Sequence, residues 1–270
     1  MKQAKDENFP VGLLISRKLK PLVKNYYQAA RTADDIADNT TLSVPEKLAL
    51  LDETERAFYG KNKAKKFSSA AKLGKLFTKE NLDASLFTDL LKAFRQDAVN
   101  QPLEIWEQLV NYCTYSAAPV GRFLLAVHDE NPSTYLPAAV LCAVLQISNH
   151  IQDLKKDCLE LKRFYIPKTM MDKHGVVYDD FCQKQSSPAL KRLIAEIITE
   201  LRSMMKDAAQ LPRLIKNKRL RMETGVILSL TNSMLRRLEK EDVLSTSVRL
   251  SRLDWIKALG YGIKTLFSTR

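Results

Sequence analysis

Apolar residues recur at helical spacing from one end of this chain to the other, and no run alternates with the two-residue period of a half-buried strand. Only 8 glycines and 10 prolines are spread through 270 residues, too few for a turn-rich β fold or a low-complexity chain. Helix ends are legible as well. Pro21 opens a helix predicted to end near Asn39, and Ser43 and Glu46 have capping-box spacing with Pro45 in the first turn. That second helix runs to Tyr59 and stops at Gly60, before a basic polar loop over 61–69. Further helices are predicted near 70–78 and 83–98, from Pro102 to about Val127, and from Pro137 through the segment NHIQDLKKD. Asn131-Pro132-Ser133 forms a turn between the last two, residues 163–176 read as irregular or as a short helix, and long helices occupy roughly 188–210, 218–240 and 249–267. No repeat and no Pro/Gly/Ser linker divides the chain. The expectation is one all-α domain spanning 1–270, its helices surrounding a central apolar cavity.

The formal net charge is +12, which favours an anionic partner: nucleic acid, a membrane surface or a phosphorylated substrate. The first ten residues hold no apolar signal core. The longest nearly apolar stretch, Leu136–Ile147, falls short of the roughly 20 residues a membrane span needs, and reads as a buried core helix. Cysteines at 113, 142, 158 and 182 form no CxxC pair, so four small buried thiols in a reducing cytosol are expected.

Two acidic constellations stand out. Asp34 and Asp38 in ARTADDIADN are four apart and share a helix face, with Asp35 turned by about 100°. Asn149, Asp153 and Asp157 in SNHIQDLKKD are again four apart, a stripe of oxygen donors over two turns. Like charges at this spacing repel, and both helices carry apolar residues beside the stripe, so a compensating cation is called for. Magnesium suits hard oxygen donors and often takes one or two carboxylates together with water and substrate phosphates. The ordinary reading of any single such pair is a solvated face. Two of them in one basic helical chain favour a metal-assisted site.

YYQAARTADDIAD and QISNHIQDLKKD resemble the two aspartate-rich motifs of the squalene and phytoene synthase family. YCTYSAAPVGR at 112–122 and KRFYIP at 162–167 are similar to two further segments of that family, in the same order, and the likeness spans about 8–240. NFPV at 8–11, the first motif, and Gln152 where many relatives have Arg look most like its bacterial hydroxysqualene synthase branch. The resemblance implies an isoprenoid synthase-type helical bundle that ionises presqualene diphosphate with more than one Mg²⁺ and no nicotinamide cofactor, and captures the cation with water to give hydroxysqualene. The alternative within the family is head-to-head condensation of prenyl diphosphates to presqualene diphosphate, squalene or a phytoene-like product. Implied metal ligands are Asp34, Asp38, Asn149, Asp153 and Asp157. Arg31 and Tyr112 are implied in catalysis, with Tyr115 the second aromatic of its segment. Tyr27, Gln146, Arg163 and Tyr165 are implied, with Arg31 and Asn149, in substrate binding. SAAPVG departs from the Val-Ala-Gly-x-Val-Gly of eukaryotic relatives, and the family's N-terminal serines are not evident around Asn8-Phe9-Pro10.

Among aromatics, Tyr26, Tyr27, Phe94, Tyr112, Tyr115 and Phe123 are candidates to line a carbocation pocket, about half of them bystanders in the core. His128, His150 and His174 read as structural or exposed, with His150 on another face from Asn149. The basic runs KNKAKK at 61–66 and PRLIKNKRLRM at 212–222 belong to no nucleic-acid recognition motif, so no nucleic-acid partner is expected. Over 249–270, Leu250, Leu253, Ile256, Leu259, Ile263 and Phe267 fall near helical spacing among Arg249, Arg252, Lys257, Lys264 and Arg270. The ordinary reading is a terminal helix packing those residues into the core. The other is a basic amphipathic helix lying on anionic lipid. The expected location is the cytoplasm, with peripheral contact at the cytoplasmic membrane face through this segment and handover of greasy intermediates to neighbouring pathway enzymes.

Overall fold

The computed structural model describes residues 16–267, and among them every regular element is helical. The first group comprises α1 (Lys20–Ala37), α2 (Val44–Phe58), α3 (Ser68–Lys79) and α4 (Ser85–Val99). Then come α5 (Trp106–Ser116), α6 (Ala118–Val127), α7 (Tyr135–Gln152) and the single turn α8 (Leu154–Lys156). The remainder are α9 (Lys168–His174), α10 (Pro188–Ala208), α11 (Leu211–Leu214), α12 (Lys218–Lys240) and α13 (Arg252–Leu266). The NFPV segment at 8–11 and Arg270 lie outside the described residues.

The local signals act as their chemistry dictates. Ser43 donates both its N–H and its hydroxyl to Glu46 at the start of α2, and Gly60 takes the left-handed φ of +73° that turns the chain out of it. The Asn217 side chain accepts from the N–H groups of Arg219 and Leu220 at the head of α12. Two expected helices are broken. The one predicted from Pro102 begins only at Trp106 and divides at Ala117, because Pro119 has no N–H to continue the ladder and instead sits in the first turn of α6. The one predicted from Pro137 begins at Tyr135 and ends at Gln152; Asp153 is its cap, and the chain runs on through α8 into a π-helical turn at Asp157–Leu161. Asp153 N–H still reaches Asn149 C=O and Asp157 N–H reaches Asp153 C=O, each at 2.8 Å, so the four-residue stripe survives the break.

Two apolar clusters form the core. One joins α1–α4 and α6 around Leu22, Tyr26, Phe58, Phe77, Phe87 and Phe123. Here Ala29, Ala33 and Ala37 bring the α1 backbone close to its neighbours. The larger joins α5 and α7 to α13, with Ile147, Ile151, Leu193, Ile197, Leu230 and Met234 fully buried. Each buried aliphatic or aromatic side chain contributes about 1.5–3 kcal/mol of transfer free energy. Residues Pro132–Gln152 are long and apolar enough to cross a membrane by length and composition, yet 56 % of that window is buried in the bundle, as expected of a core helix.

Two expectations are overturned. Cys158 and Cys182 are bonded as a disulfide with Cα atoms 6.0 Å apart, leaving only Cys113 and Cys142 as free thiols. The π-helical turn and the short helix at Tyr178–Cys182 bring together two cysteines that sequence spacing kept separate. Nor does α13 pack its large apolar residues inward. It meets α12 through Asp254, Ala258, Gly262 and Thr265, while Leu253, Ile256, Leu259, Ile263 and Phe267 are exposed. The physical reason is close approach: a Cβ on Gly262 would stand 2.6 Å from Val226 Cγ2 and 2.9 Å from Met222 O, so only small residues fit that seam.

Candidate active site

The acidic stripes stand on helices from different halves of the core, α1 in one cluster and α7–α8 in the other. Arg163 joins them. Its backbone N–H donates to Asp157 C=O at 3.2 Å, and its guanidinium reaches across the seam to Asp38 Oδ1 at 2.8 Å and the C=O of Ala37 at 3.4 Å. The same guanidinium donates to the Asp97 C=O at 3.2 Å and the Tyr165 hydroxyl at 3.3 Å. The resemblance implies Arg163 closing over a diphosphate; here it is buried between the two stripes. Burial alone would lower its basicity, but Tyr165, Asp97 and Asp38 hold it above the ordinary guanidinium value.

On the first stripe, Arg31 binds Asp34 at 2.6 Å and Asp35 at 2.8 Å. Burial, then the neighbouring Asp38, raise the Asp34 carboxyl to about 7 against the lowering by Arg31. On the second, burial and Asp153 raise Asp157 to about 7, and Asp38 across the seam adds to the rise while Arg163 and Lys156 oppose it. The two stripes therefore repel each other through space. Asn149 Oδ1 is buried without a hydrogen-bond partner, as are the Nε atoms of Arg31 and Arg163.

These features fit a divalent cation. The donors are hard oxygens, two carboxyls are under-compensated, and one amide oxygen has no partner. Among the described residues no three His, Cys, Asp or Glu side chains cluster tightly enough to hold an ion alone. Mg²⁺ commonly completes its shell with water and phosphate oxygens.

Beneath the stripes lies a residue the sequence reading missed. Asp97 on α4 is buried and accepts from the Tyr112 hydroxyl at 3.0 Å to each oxygen and from the Tyr165 hydroxyl at 3.1 Å. Burial raises its carboxyl to about 6 although Arg163 and both tyrosines favour the ionised form. Burial and then Asp97 push the Tyr112 phenol well above its usual range, so it stays protonated and donates. His150, expected to be structural or exposed, is structural. It is buried, stacks on Tyr165 at 3.6 Å between ring centroids, and lies 3.3 Å from Gln146 Nε2. Burial and Arg163 lower it to about 3, leaving a neutral imidazole. A further basic group, Lys47 on α2, is lowered by burial and then by the charge of Arg163, with Asp38 opposing. None of the three had a signal in local spacing; only Asp97, an acidic residue on the apolar face of α4, broke its helix pattern.

Small openings flank Arg163. One is lined by His150, Leu154, Asp157, Phe164 and Tyr165, the other by Gln96, Asp97, Leu103, Tyr112 and Tyr165. Of the other candidates, Tyr27 is half-buried on α1, while Tyr115 lies under the Lys92 ammonium at 5.4 Å in a second charged group with Asp89 and Arg122. Tyr26 and Phe123 stack at 3.9 Å inside the α1–α4 core, and Phe94 packs at its edge.

The comparisons with known proteins agree with this architecture. The squalene/phytoene synthase family model matches residues 2–254. The chain is 36 % identical over 258 residues to a hydroxysqualene synthase of Rhodopseudomonas palustris, covering 95 % of this chain and 88 % of that protein. It is likewise 36 % identical over 251 residues to one of Sinorhizobium fredii, covering 93 % and 85 %. Among solved structures, a squalene synthase from Alicyclobacillus acidocaldarius superposes with a TM-score of 0.71 at 28 % identity, over 84 % of this chain and 85 % of that one. With its helical bundle, its two acidic stripes in family order and a match over nearly its whole length, the chain belongs to the squalene/phytoene synthase family.

Proposed function

We propose that this protein is a hydroxysqualene synthase, converting presqualene diphosphate and water to hydroxysqualene and diphosphate. The observation that carries the reading is the meeting of two oxygen-donor stripes across Arg163, in a chain 36 % identical to hydroxysqualene synthases over nearly its full length. Asp34 and Asp38 on one side and Asn149, Asp153 and Asp157 on the other would hold Mg²⁺, which when bound neutralises charge on the diphosphate leaving group. Arg31 and Arg163, now paired with the stripes, would turn toward phosphate oxygens as the carboxylates turn toward metal, adding fixed positive charge where negative charge develops. Gln146 flanks the same face.

Ionisation breaks the carbon–oxygen bond of the substrate and leaves a cyclopropylcarbinyl cation. Tyr112 and Tyr165 would offer aromatic surface to it, and Asp97 holds their hydroxyls as donors rather than nucleophiles. Asp97 is a positioning residue in this scheme. After rearrangement, water captures the cation and loses a proton. Residues 1–270 act as one catalytic domain, because the stripes belong to different apolar clusters and the site exists only where these meet. The enzyme works at a membrane face and beside the enzymes that supply its substrate and take its product, since both are greasy.

The test is to incubate purified protein with presqualene diphosphate and Mg²⁺, without nicotinamide, and identify the organic product. Hydroxysqualene is expected, with Asp34→Asn and Asp153→Asn reducing its formation by at least about a hundredfold. A second reading, head-to-head condensation, is favoured by the likeness to the A. acidocaldarius squalene synthase. Turnover of farnesyl diphosphate with none of presqualene diphosphate would establish it in place of the first.

A further inference from the structure

Helix α13 is mounted with its large apolar side chains facing outward. Ile256 is 64 % exposed, Leu253 67 %, Ile263 49 % and Phe267 80 %. At 3.6 residues per turn these four share one side of the helix, opposite the Asp254–Ala258–Gly262–Thr265 seam that meets α12. Lys257 and Lys264 border the apolar stripe on one flank and Arg252 on the other, with Arg249 exposed just before the helix. The one acidic residue between Arg249 and Phe267 is Asp254, and it is buried against Arg237 at 2.8 Å. The outward face thus combines a stripe of bulky hydrocarbon with cations on both flanks and no exposed carboxylate.

Several anchors hold this face in place. Ser251 caps the helix through Asp254, Arg237 clamps the same carboxylate, and the Thr265 hydroxyl donates to Arg221 C=O at 3.3 Å. The last contact sets the C-terminal end of α13 against the first turn of α12, where Lys218 and Arg219 are exposed. The segment leading into α13 is tied to the second acidic stripe. Gln152 Nε2 donates to Val248 C=O at 2.9 Å and Lys155 Nζ to Leu244 C=O at 3.1 Å.

We propose that the outward face of α13 docks this protein on the surface of an anionic phospholipid bilayer, with Leu253, Ile256, Ile263 and Phe267 entering the interface and Arg252, Lys257 and Lys264 meeting headgroup phosphates. Charge complementarity selects this occupant. Against a second copy of the chain, an isologous contact would oppose each basic flank to itself with no exposed carboxylate to offset it. Against lipid, the same cations are attractive and the preformed helix needs no folding on arrival. The hydrogen bonds from Gln152 and Lys155 tie the segment leading into this helix to the end of the helix that carries the second acidic stripe. The docking itself does not depend on the reaction assigned above.

The experiment is flotation of the full-length purified protein with vesicles of equimolar phosphatidylcholine and phosphatidylglycerol, and with phosphatidylcholine alone. Binding to the anionic vesicles, weakened by high salt, is expected. The variant I256S/I263S alters only exposed side chains and should lose at least about tenfold in vesicle affinity. K257Q/K264Q should lose about 25-fold on anionic vesicles and little on neutral ones. Both should keep the wild-type melting temperature and, in detergent solution, the wild-type turnover. Unchanged flotation of I256S/I263S would overturn the proposal, as would absence of vesicle binding by the wild type. So would a wild-type dimer, seen by sedimentation, that I256S/I263S dissociates while neither protein floats, since that outcome assigns the face to a second copy.

Discussion

Replacing Asp97 tests how the site is held together, because opposing effects meet in one side chain. Moving its carboxyl from the ordinary 3.8 to about 6 disfavours the buried ionised form by roughly 3 kcal/mol at pH 7. Asn removes that cost. It keeps an oxygen where Oδ1 now accepts from both Tyr112 and Tyr165, but the two hydrogen bonds lose their charge assistance, about 1–1.5 kcal/mol each. The rise to about 6 is already net of that assistance and of the attraction of Arg163, so Asp97→Asn should be no less stable than the wild type and up to about 3 kcal/mol more stable. Asp97→Ala removes the acceptor altogether and leaves buried phenol hydroxyls unpaired at about 1–3 kcal/mol each, with a cavity besides. Ala should therefore be less stable than Asn by at least about 2 kcal/mol, or about 4–8 °C in melting temperature for a domain of this size. Thermal and urea melts followed by far-UV circular dichroism would read this. Turnover should fall in both variants, since neither holds the negative charge beside Arg163. If Ala and Asn melt together, Asp97 is not the acceptor that holds the tyrosines, and the site has been misread.

Mg²⁺ with inorganic diphosphate should raise the melting temperature by about 5–10 °C at a hundredfold excess over the dissociation constant, and Asp153→Asn should abolish most of that rise in differential scanning fluorimetry. Burial alone would raise Asp254, but hydrogen bonds from Ser251 and Arg237 hold it at about 2. Its contribution to stability is thus present above the unfolded value near 4 and lost as pH falls toward 2; Asp254→Asn should flatten acid unfolding in that window. Gly74→Ala would put a Cβ 1.8 Å from the Phe58 carbonyl oxygen, so α2 and α3 must separate. Loss of soluble folded protein is expected there, whereas Gly260→Ala, which meets nothing within 4 Å, should leave stability unchanged or slightly improved.

Recognition of the family from sequence depended on features that are local. Asp34 with Asp38, and Asn149 with Asp153 and Asp157, are set four apart by the helix itself, so each stripe could be read before anything was known of packing. The ends of α2 were readable for the same reason, since Ser43, Glu46 and Gly60 act on their own neighbours. Tertiary structure decided what those stripes face. Asp97 acquires its meaning from Tyr112 and Tyr165, 15 and 68 positions away, and Arg163 from Asp38, 125 positions away. The pairing of Cys158 with Cys182 spans 24 residues with no signature in the interval. The orientation of α13 likewise turned on a contact outside its own sequence. Periodicity showed that the helix has an apolar side, but Gly225 and Gly262 at the α12 seam admit only small residues, and that steric limit sent the apolar side outward.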